Sequence, residues 1–314
     1  MYPEIEPYES GHIAVGDGHS LYYELCGNPD GKPVVYVHGG PGGGVMPELR
    51  RYFDPDKYKI ILFDQRGAGK STPFGSIDNN TIEHLVADME FLRQKLDIAQ
   101  WMLVGGSWGS TLSLFYLVEY PQYVSEVALS GIFFGDTDGM HWLTEEGYVS
   151  EIMPEWFAPY RDHIPEDKRK DGLHKAYYDI ILNGTDEEIL EAAKQAVLWD
   201  TAILTFDLPV DRIKHVQEHP EEYLGLFKLW MHFSNNFYGP HNKKKILDGV
   251  QNLGHIPCYI IHGRFDLICP VRNAFDLHAA YPGSTLYVLE KTGHTMREPN
   301  IWAKLIEVTD SLVV

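Results

Sequence analysis

The chain has 314 residues, of which 44% are hydrophobic, enough to bury either one large core or a core with an inserted domain. Its formal net charge of −19 opposes binding to phosphate backbones and to anionic lipid, so neither nucleic acid nor a membrane surface is an expected partner. The acidic start lacks the features of a signal peptide, and no apolar run is long enough for a membrane span. The three cysteines form no C-x-x-C pair, so we expect neither disulfides nor a cysteine metal site. Together these features lead us to expect a cytoplasmic protein.

Residues 1–135 alternate short runs of β-branched and aromatic residues with loops. The strand-like runs cover residues 21–25, 33–38, 58–64, 101–105 and 124–132. Between two of them, residues 81–96 repeat apolar side chains at spacings of three and four, which predicts a helix with one buried face. This β-α-β alternation predicts a mostly parallel sheet with helices packed on it.

Residues 136–240 have a different character, because strand-like runs disappear and the segment is helical, acidic and rich in tryptophan. Thr185 followed by Glu188 has the pattern of a capping box, which predicts the start of one of these helices. Strand-like and helical runs then alternate again at residues 257–263, 271–281, 286–289 and 300–312. We therefore predict a catalytic core of residues 1–135 and 241–314, with residues 136–240 inserted as a helical cap that recognises the substrate.

The most informative motif follows the strand-like run at residues 101–105. The pentapeptide Gly105-Gly106-Ser107-Trp108-Gly109 has the pattern G-x-S-x-G, and an apolar segment continues from it to residue 119. A strand that enters a helix through this pattern holds the serine on a strained turn, where its hydroxyl is exposed to substrate. Ser107 is therefore the candidate nucleophile. The alternative is an ordinary capping serine on a glycine-rich turn.

A serine hydroxyl is a weak nucleophile at neutral pH and needs a histidine base, which a carboxylate usually orients. In α/β-hydrolase sheets the acid and then the histidine follow the serine, each after a late strand. Asp266 comes after the run at 257–263, and His294 comes after the run at 286–289. The order predicts an α/β-hydrolase fold with Ser107, Asp266 and His294 as its triad. Viewed singly, Asp266 also fits a cap of the following helix, and His294 also fits a surface loop.

The tetrahedral intermediate of such a reaction also needs backbone N–H donors. Residues 38–44 read H-G-G-P-G-G-G directly after a strand-like run, and their five glycines let a backbone amide approach a reacting carbonyl. We assign one donor to Gly40 and the other to Trp108, the residue after the nucleophile. A flexible loop is the alternative, and His38 is expected to order the loop rather than to act as a base.

Two further patterns match ligand-binding motifs only in part. Residues 64–71 end like a phosphate-binding P-loop, but Asp64 stands where the first glycine is required, and its charge would oppose a phosphate. Residues 215–219 spell the zinc motif H-x-x-E-H, but Pro220 ends the helix and no third ligand accompanies them. We therefore expect no nucleotide, no metal and no other cofactor, and interpret residues 215–219 as the solvated face of a cap helix.

These motifs together resemble those of the proline iminopeptidases (prolyl aminopeptidases), a family of the α/β-hydrolase superfamily. The resemblance rests on H-G-G-P-G-G-G at 38–44, D-Q-R-G-x-G-x-S at 64–71, G-G-S-W-G-S-T-L at 105–112 and the residues around Asp266 at 263–270. It implies a serine peptidase without cofactors that releases N-terminal proline from small peptides through an acyl-enzyme intermediate. It also implies that residues 64–71 are a structural loop.

By the same resemblance, Ser107 is the nucleophile, Asp266 the acid and His294 the base, with Gly40 and Trp108 as the oxyanion hole.

The resemblance further implies where a peptide binds. Phe133 and Cys269 match positions in the family's apolar pocket for the proline ring, and Asp200 matches a cap carboxylate that holds the protonated amine, although it is one methylene shorter than the family's glutamate. A second glutamate is expected within residues 233–238, but this chain reads F-S-N-N-F-Y there. The alternative function is therefore an esterase or amidase acting on small esters or amides, with no strict need for a free N-terminal amine.

Overall fold

A computed structural model describes residues 1–313 of the chain. Its central sheet has eight strands: β1 (Glu9–Gly16), β2 (His19–Gly27), β3 (Lys32–Val37), β4 (Tyr58–Phe63), β5 (Trp101–Gly106), β6 (Val124–Ser130), β7 (Cys258–Gly263) and β8 (Thr285–Leu289). Their order across the sheet is β1-β2-β4-β3-β5-β6-β7-β8. Strand β2 is antiparallel to both of its neighbours, and all other neighbouring strands are parallel. The predicted fold, a mostly parallel sheet flanked by helices, is confirmed.

Eleven α-helices occur in the described residues: α1 (Ile82–Lys95), α2 (Trp108–Glu119), α3 (Thr137–Thr144), α4 (Pro154–Asp162), α5 (Leu173–Asn183), α6 (Asp186–Ala202), α7 (Val210–Glu218), α8 (Leu224–Asn236), α9 (Pro240–Val250), α10 (Arg272–Ala280) and α11 (Pro299–Ser311). Helices α3 to α8 all fall between β6 and β7. None of the helices in residues 1–313 combines the length and apolar composition needed to cross a membrane.

Local sequence explains where the two clearest predicted helices begin. The side chain of Thr81 accepts a hydrogen bond from the backbone N–H of His84 and starts α1. The capping box at the start of α6 is present, because Thr185 Oγ1 accepts from Glu188 N at 3.3 Å and Glu188 Oε2 accepts from Thr185 N at 2.7 Å. These contacts satisfy backbone donors that a helix start otherwise leaves unpaired.

The sheet is covered on both faces, which explains the continuous apolar runs in its strands. Along β3, Val35 and Val37 pack into the cluster that includes helices α1 and α2, whereas Val34 and Tyr36 pack into the cluster that includes α11. Side chains alternate between faces because successive residues of a strand point in opposite directions. This packing holds the carboxyl ends of the parallel strands in place, where Ser107, Asp266 and His294 follow β5, β7 and β8.

Helices α3 to α8 have an apolar core of their own, built largely from aromatic residues. The rings of Tyr160 and Tyr177 stack with centroids 4.6 Å apart, and Phe157 meets Trp199 edge-on at 5.2 Å. Ile268 and Cys269, which follow β7, also belong to this cluster, so the helical segment is anchored next to the predicted triad residue Asp266. The boundaries of the cap, residues 136–240, and its role in substrate recognition stay predictions.

Candidate active site

Ser107 lies on the tight turn between the end of β5 and the start of α2. Its backbone has φ 58° and ψ −128°, and such a positive φ costs a residue with a side chain on the order of 1–3 kcal/mol. The turn packs tightly on its neighbours: a Cβ at Gly105 would lie 2.5 Å from the carbonyl oxygen of Gly109, and a Cβ at Gly109 would overlap the carbonyl oxygen of Val37. Both glycines of the motif are therefore required by packing, and Ser107 lines a cavity.

Asp266 and His294 form a buried hydrogen-bonded pair beside this turn. His294 Nδ1 donates to Asp266 Oδ2 at 2.8 Å. The other carboxylate oxygen, Oδ1, accepts from the backbone N–H of Ile268 at 3.0 Å and of Cys269 at 2.7 Å. With its proton on Nδ1, the neutral His294 ring leaves Nε2 free to accept a proton.

The ionised forms of Asp266 and His294 stabilise each other, and the pKa values of both side chains are shifted accordingly. Burial raises the pKa of Asp266, but the charge of His294 and the hydrogen bonds that the carboxylate accepts outweigh burial, so the pKa lies below its ordinary value. Burial lowers the pKa of His294, but Asp266 and the more distant Asp200 outweigh it, so this pKa is raised. The arrangement therefore favours a carboxylate beside a histidine that can hold a positive charge.

Ser107 and His294 line the same cavity, but within residues 1–313 no hydrogen bond joins their side chains. The Ser107 side chain is also a neighbour of the Cys269 thiol, where it opposes the rise that burial causes in the pKa of Cys269. Catalytic hydrogen bonds are often long or misaligned before substrate binds and tighten in the complex.

His262 is a further residue of the site that the sequence did not reveal. Its Nδ1 accepts from Ile132 N at 3.1 Å, so its proton is on Nε2, which donates to the carbonyl oxygen of Cys269 at 2.9 Å and lies 3.4 Å from Asp266 Oδ2. The ring is fully buried, and burial lowers its pKa, which keeps it neutral. The His262 ring thus connects the segment after β6 with the turn that carries Asp266.

The predicted oxyanion donors belong to the two segments that pass next to Ser107. Trp108 is the first residue of α2, and the glycine-rich loop passes so close that a Cβ at Gly39 would lie 3.2 Å from the Cβ of Ser107. No acceptor within residues 1–313 takes a hydrogen bond from the backbone N–H of Gly40 or of Trp108. Gly40 lines the cavity, and neither amide is committed to a partner within these residues.

The glycine-rich loop is ordered by its neighbours rather than flexible. His38 donates from Nδ1 to Gly39 O at 2.9 Å and accepts at Nε2 from Gln65 N at 3.0 Å. Asp64 accepts from Val45 N at 2.5 Å and from Lys70 N at 2.7 Å, and so joins residues 38–46 to residues 64–71.

A cavity of about 640 Å³ lies above Ser107, and the three predicted substrate-binding residues line it. Phe133 packs edge-on against Tyr238 with ring centroids 5.1 Å apart, and Cys269 is a buried residue of the same cavity lining. Asp200 is half-buried and forms neither an ion pair nor a hydrogen bond through its carboxylate within residues 1–313. Burial raises the pKa of Asp200, and the positive charges of His294 and Arg212 oppose that rise. An unpaired, partly desolvated carboxylate is a favourable site for a cation.

Ser234, on α8, lies in the segment where the family resemblance leads us to expect a second acid. Its side chain lines the cavity, and its Oγ is buried without a hydrogen-bond partner. The sequence did not single out Ser234, because an isolated serine in a helix carries no signal until its surroundings are known.

Within residues 215–219, His215 and His219 are exposed to solvent, whereas Val216 is buried in the apolar core of helices α3 to α8. His215 lines the cavity and pairs with Glu222, Nε2 to Oε2 at 2.9 Å, and its ring lies 4.9 Å from that of His219. In the described residues, the one cluster of three potential metal ligands is Asp266, Cys269 and His294. The Asp266–His294 hydrogen bond and the two backbone donors on Asp266 already occupy most of these ligand atoms.

Comparison with known proteins gives full-length matches. The sequence pattern of a family described as "alpha/beta hydrolase fold" matches residues 32–298. The chain is 41% identical over 313 residues to a proline iminopeptidase of Xylella fastidiosa, covering 100% of this chain and 99% of that protein. It is 42% identical over 318 residues to a proline iminopeptidase of Arabidopsis thaliana, covering 99% of this chain and 82% of that protein.

Solved structures share the fold at low sequence identity. An alpha/beta fold family hydrolase from Bacillus anthracis superposes with a TM-score of 0.65 at 15% identity, over 97% of this chain and 100% of that one. A proline iminopeptidase-related protein from Thermus thermophilus superposes with a TM-score of 0.62 at 21% identity, over 97% and 96% of the two chains.

Proposed function

This chain belongs to the α/β-hydrolase fold family and, within it, to the proline iminopeptidases, and we propose that it is a serine hydrolase that releases proline from the N-terminus of peptides. The observation that carries the proposal is the unpaired Asp200 carboxylate, which lies in the same cavity as Ser107 and His294. A cavity that holds a nucleophile and an unpaired anion suits a substrate with a cation next to its reacting carbonyl, as in an N-terminal proline.

In this mechanism Ser107 Oγ attacks the prolyl carbonyl carbon, while His294 Nε2 accepts the proton of the Ser107 hydroxyl. Asp266 keeps the His294 proton on Nδ1 and stabilises the imidazolium that forms. The backbone N–H groups of Gly40 and Trp108 donate to the oxyanion, a role that their lack of protein acceptors supports. His294 then protonates the leaving amine, and water hydrolyses the prolyl ester on Ser107 by the same steps in reverse order.

Asp200 binds the protonated amine of proline, and the pocket wall at Phe133 and Cys269 contacts the ring. A cation in a largely desolvated pocket must be paired, and Asp200 is the carboxylate without a partner there. The free hydroxyl of Ser234 supplies a second, neutral acceptor for the two N–H groups of the prolyl ammonium.

A second candidate function keeps the same triad and acts on small esters or amides. Ser234, an uncharged residue in the segment where a second acid is expected, is the observation that favours it, because the cavity then holds less negative charge to select an ammonium.

One panel of substrates distinguishes the two functions. We would compare kcat/KM for proline β-naphthylamide, alanine β-naphthylamide, N-acetylproline β-naphthylamide and p-nitrophenyl butyrate, with Ser107→Ala as the blank. An iminopeptidase prefers the free-amine prolyl substrate and loses that activity on acetylation. Turnover of the ester with no preference for free-amine proline would establish the second function instead.

We also propose the cytoplasm as the compartment. Cys26, Cys258 and Cys269 are free and buried, the state that a reducing compartment maintains. The net charge of −19 supports the further proposal that nucleic acid is not a partner.

A further inference from the structure

Arg212 is a cationic side chain on the wall of the active-site cavity that the hydrolytic steps do not use. It belongs to the first turn of α7 and lines the same cavity as Ser107 and Asp200. Its Nε is buried without a hydrogen-bond partner, and its guanidinium forms no ion pair with any of residues 1–313. Its nearest aromatic contact is long, since the Tyr223 ring centroid lies 6.0 Å from the guanidinium carbon.

An unpaired arginine is unexpected in this chain, which has 45 acidic and 26 basic side chains. The acids near Arg212 do not neutralise it. Glu222 pairs with His215 at 2.9 Å, and the adjacent Asp211 is exposed and forms no ion pair with it. Asp200 shares the cavity without forming an ion pair to Arg212, although the positive charge of Arg212 opposes the rise that burial causes in the pKa of Asp200. Buried polar groups normally have partners, and the buried Nε of Arg212 has none within residues 1–313.

We propose that Arg212 binds the C-terminal carboxylate of the substrate, which makes free dipeptides of the form Pro-X the preferred substrates. The inference rests on the proposed function, in which Asp200 binds the other end of the molecule. A planar guanidinium donates two parallel hydrogen bonds to a carboxylate, which makes arginine well suited to this ligand.

The size of the cavity agrees with such a substrate. The amine and carboxylate of an extended dipeptide are at most about 7 Å apart. The cavity of about 640 Å³ carries one unpaired anion and one unpaired cation, the two charges that complement the ends of a zwitterionic dipeptide. A longer peptide would place its carboxylate beyond Arg212 and a neutral peptide group beside it.

The test compares L-prolyl-L-alanine with L-prolyl-L-alanine amide, which differ only in the terminal carboxylate. We expect kcat/KM for the wild-type protein to favour the free acid about ten- to hundredfold, the range of a charge-assisted hydrogen bond. Arg212→Gln should reduce the acid-to-amide ratio to about one, and Arg212→Lys should retain part of the preference because it keeps the charge but loses the second hydrogen bond.

Lys214→Gln is the matched control, because Lys214 is on the same helix, exposed and outside the cavity lining. This variant should keep the wild-type acid-to-amide ratio. Equal rates on acid and amide by the wild-type protein, or an unchanged ratio in Arg212→Gln, would overturn the carboxylate site. Proline β-naphthylamide has no carboxylate, so it distinguishes failure of this inference from failure of the proposed function. If the wild-type protein hydrolyses it but cleaves acid and amide at equal rates, only the carboxylate site is refuted. If the wild-type protein does not hydrolyse it, the proposed function is refuted.

Discussion

Replacing Asp200 with asparagine isolates the contribution of one charge in the cavity. The Asp200 carboxylate is half-buried and makes no hydrogen bond or ion pair in the part of the chain that the structure describes. Asparagine has nearly the same shape, so the substitution breaks no contact within the protein. Any loss of activity on prolyl substrates should therefore reflect the lost interaction between the Asp200 charge and the ammonium group of the substrate.

The size of that loss follows from the kind of interaction removed. A hydrogen bond between charged partners contributes about 1.5–3 kcal/mol, so Asp200→Asn should lower kcat/KM for proline β-naphthylamide about ten- to hundredfold. The variant should also lose most of the wild-type preference for this substrate over its N-acetyl derivative. Turnover of p-nitrophenyl butyrate, which has no ammonium, should not fall.

The same substitution should move the pH profile, and the direction can be derived. His294 acts as a base only when neutral, so activity rises with pH through its pKa. Burial lowers that pKa, but Asp266 and Asp200 raise it above the ordinary value of histidine. Removal of the Asp200 charge leaves less stabilisation of the imidazolium, so the acid limb of kcat/KM for p-nitrophenyl butyrate should shift to lower pH.

Asp207→Asn is the control, because Asp207 is an exposed acid outside the cavity lining. It should match the wild-type protein on both substrates and in the pH profile. The reasoning is refuted if Asp200→Asn leaves the rates on the free and acetylated prolyl substrates unchanged, or if it lowers prolyl and ester turnover equally.

Three further substitutions test other parts of the structure. His262→Gln should lower kcat about tenfold on prolyl and ester substrates alike, because one hydrogen bond that positions the Asp266 turn is lost. An unchanged kcat would contradict this role of His262. Gly39→Ala should lower kcat on both substrates in steady-state assays, since its Cβ would lie 3.2 Å from that of Ser107; full activity would show that the loop adjusts freely. Trp199→Ala removes a buried ring and its 2.9 Å hydrogen bond to Leu143 O. Urea denaturation should therefore show a loss of about 3–5 kcal/mol in the free energy of unfolding. A loss below about 1 kcal/mol would indicate that the ring contributes little to packing.

The parts of the fold that could be predicted are those with local causes. The apolar spacing of residues 81–96 specifies α1, and the Thr185–Glu188 capping box specifies the start of α6. Ser107 was identifiable for a similar reason, since a Cβ at Gly105 would collide with the carbonyl oxygen of Gly109 in the same turn. Strand β1 was not predicted, because it is an edge strand with exposed or half-buried side chains and lacks a continuous apolar run.

Residues that act through distant contacts could not be predicted from one sequence. His262 is recognisable only when Ile132, 130 positions earlier, is seen to donate to its ring. Ser234 and Arg212 look like ordinary helix residues in the sequence, and the missing partners of Ser234 Oγ and Arg212 Nε become visible only when the cavity is formed. In each case the informative property is a hydrogen bond made or left unmade, which a linear pattern does not encode.

The most direct test of the central claim is the appearance of free proline from Pro-Gly-Gly, followed by chromatography with the wild-type protein and Ser107→Ala in parallel. We predict that the wild-type protein releases proline and Gly-Gly in equal amounts, that N-acetyl-Pro-Gly-Gly is not cleaved, and that Ser107→Ala releases no proline. Cleavage of the acetylated peptide at the same rate, or proline release by Ser107→Ala, would contradict the account.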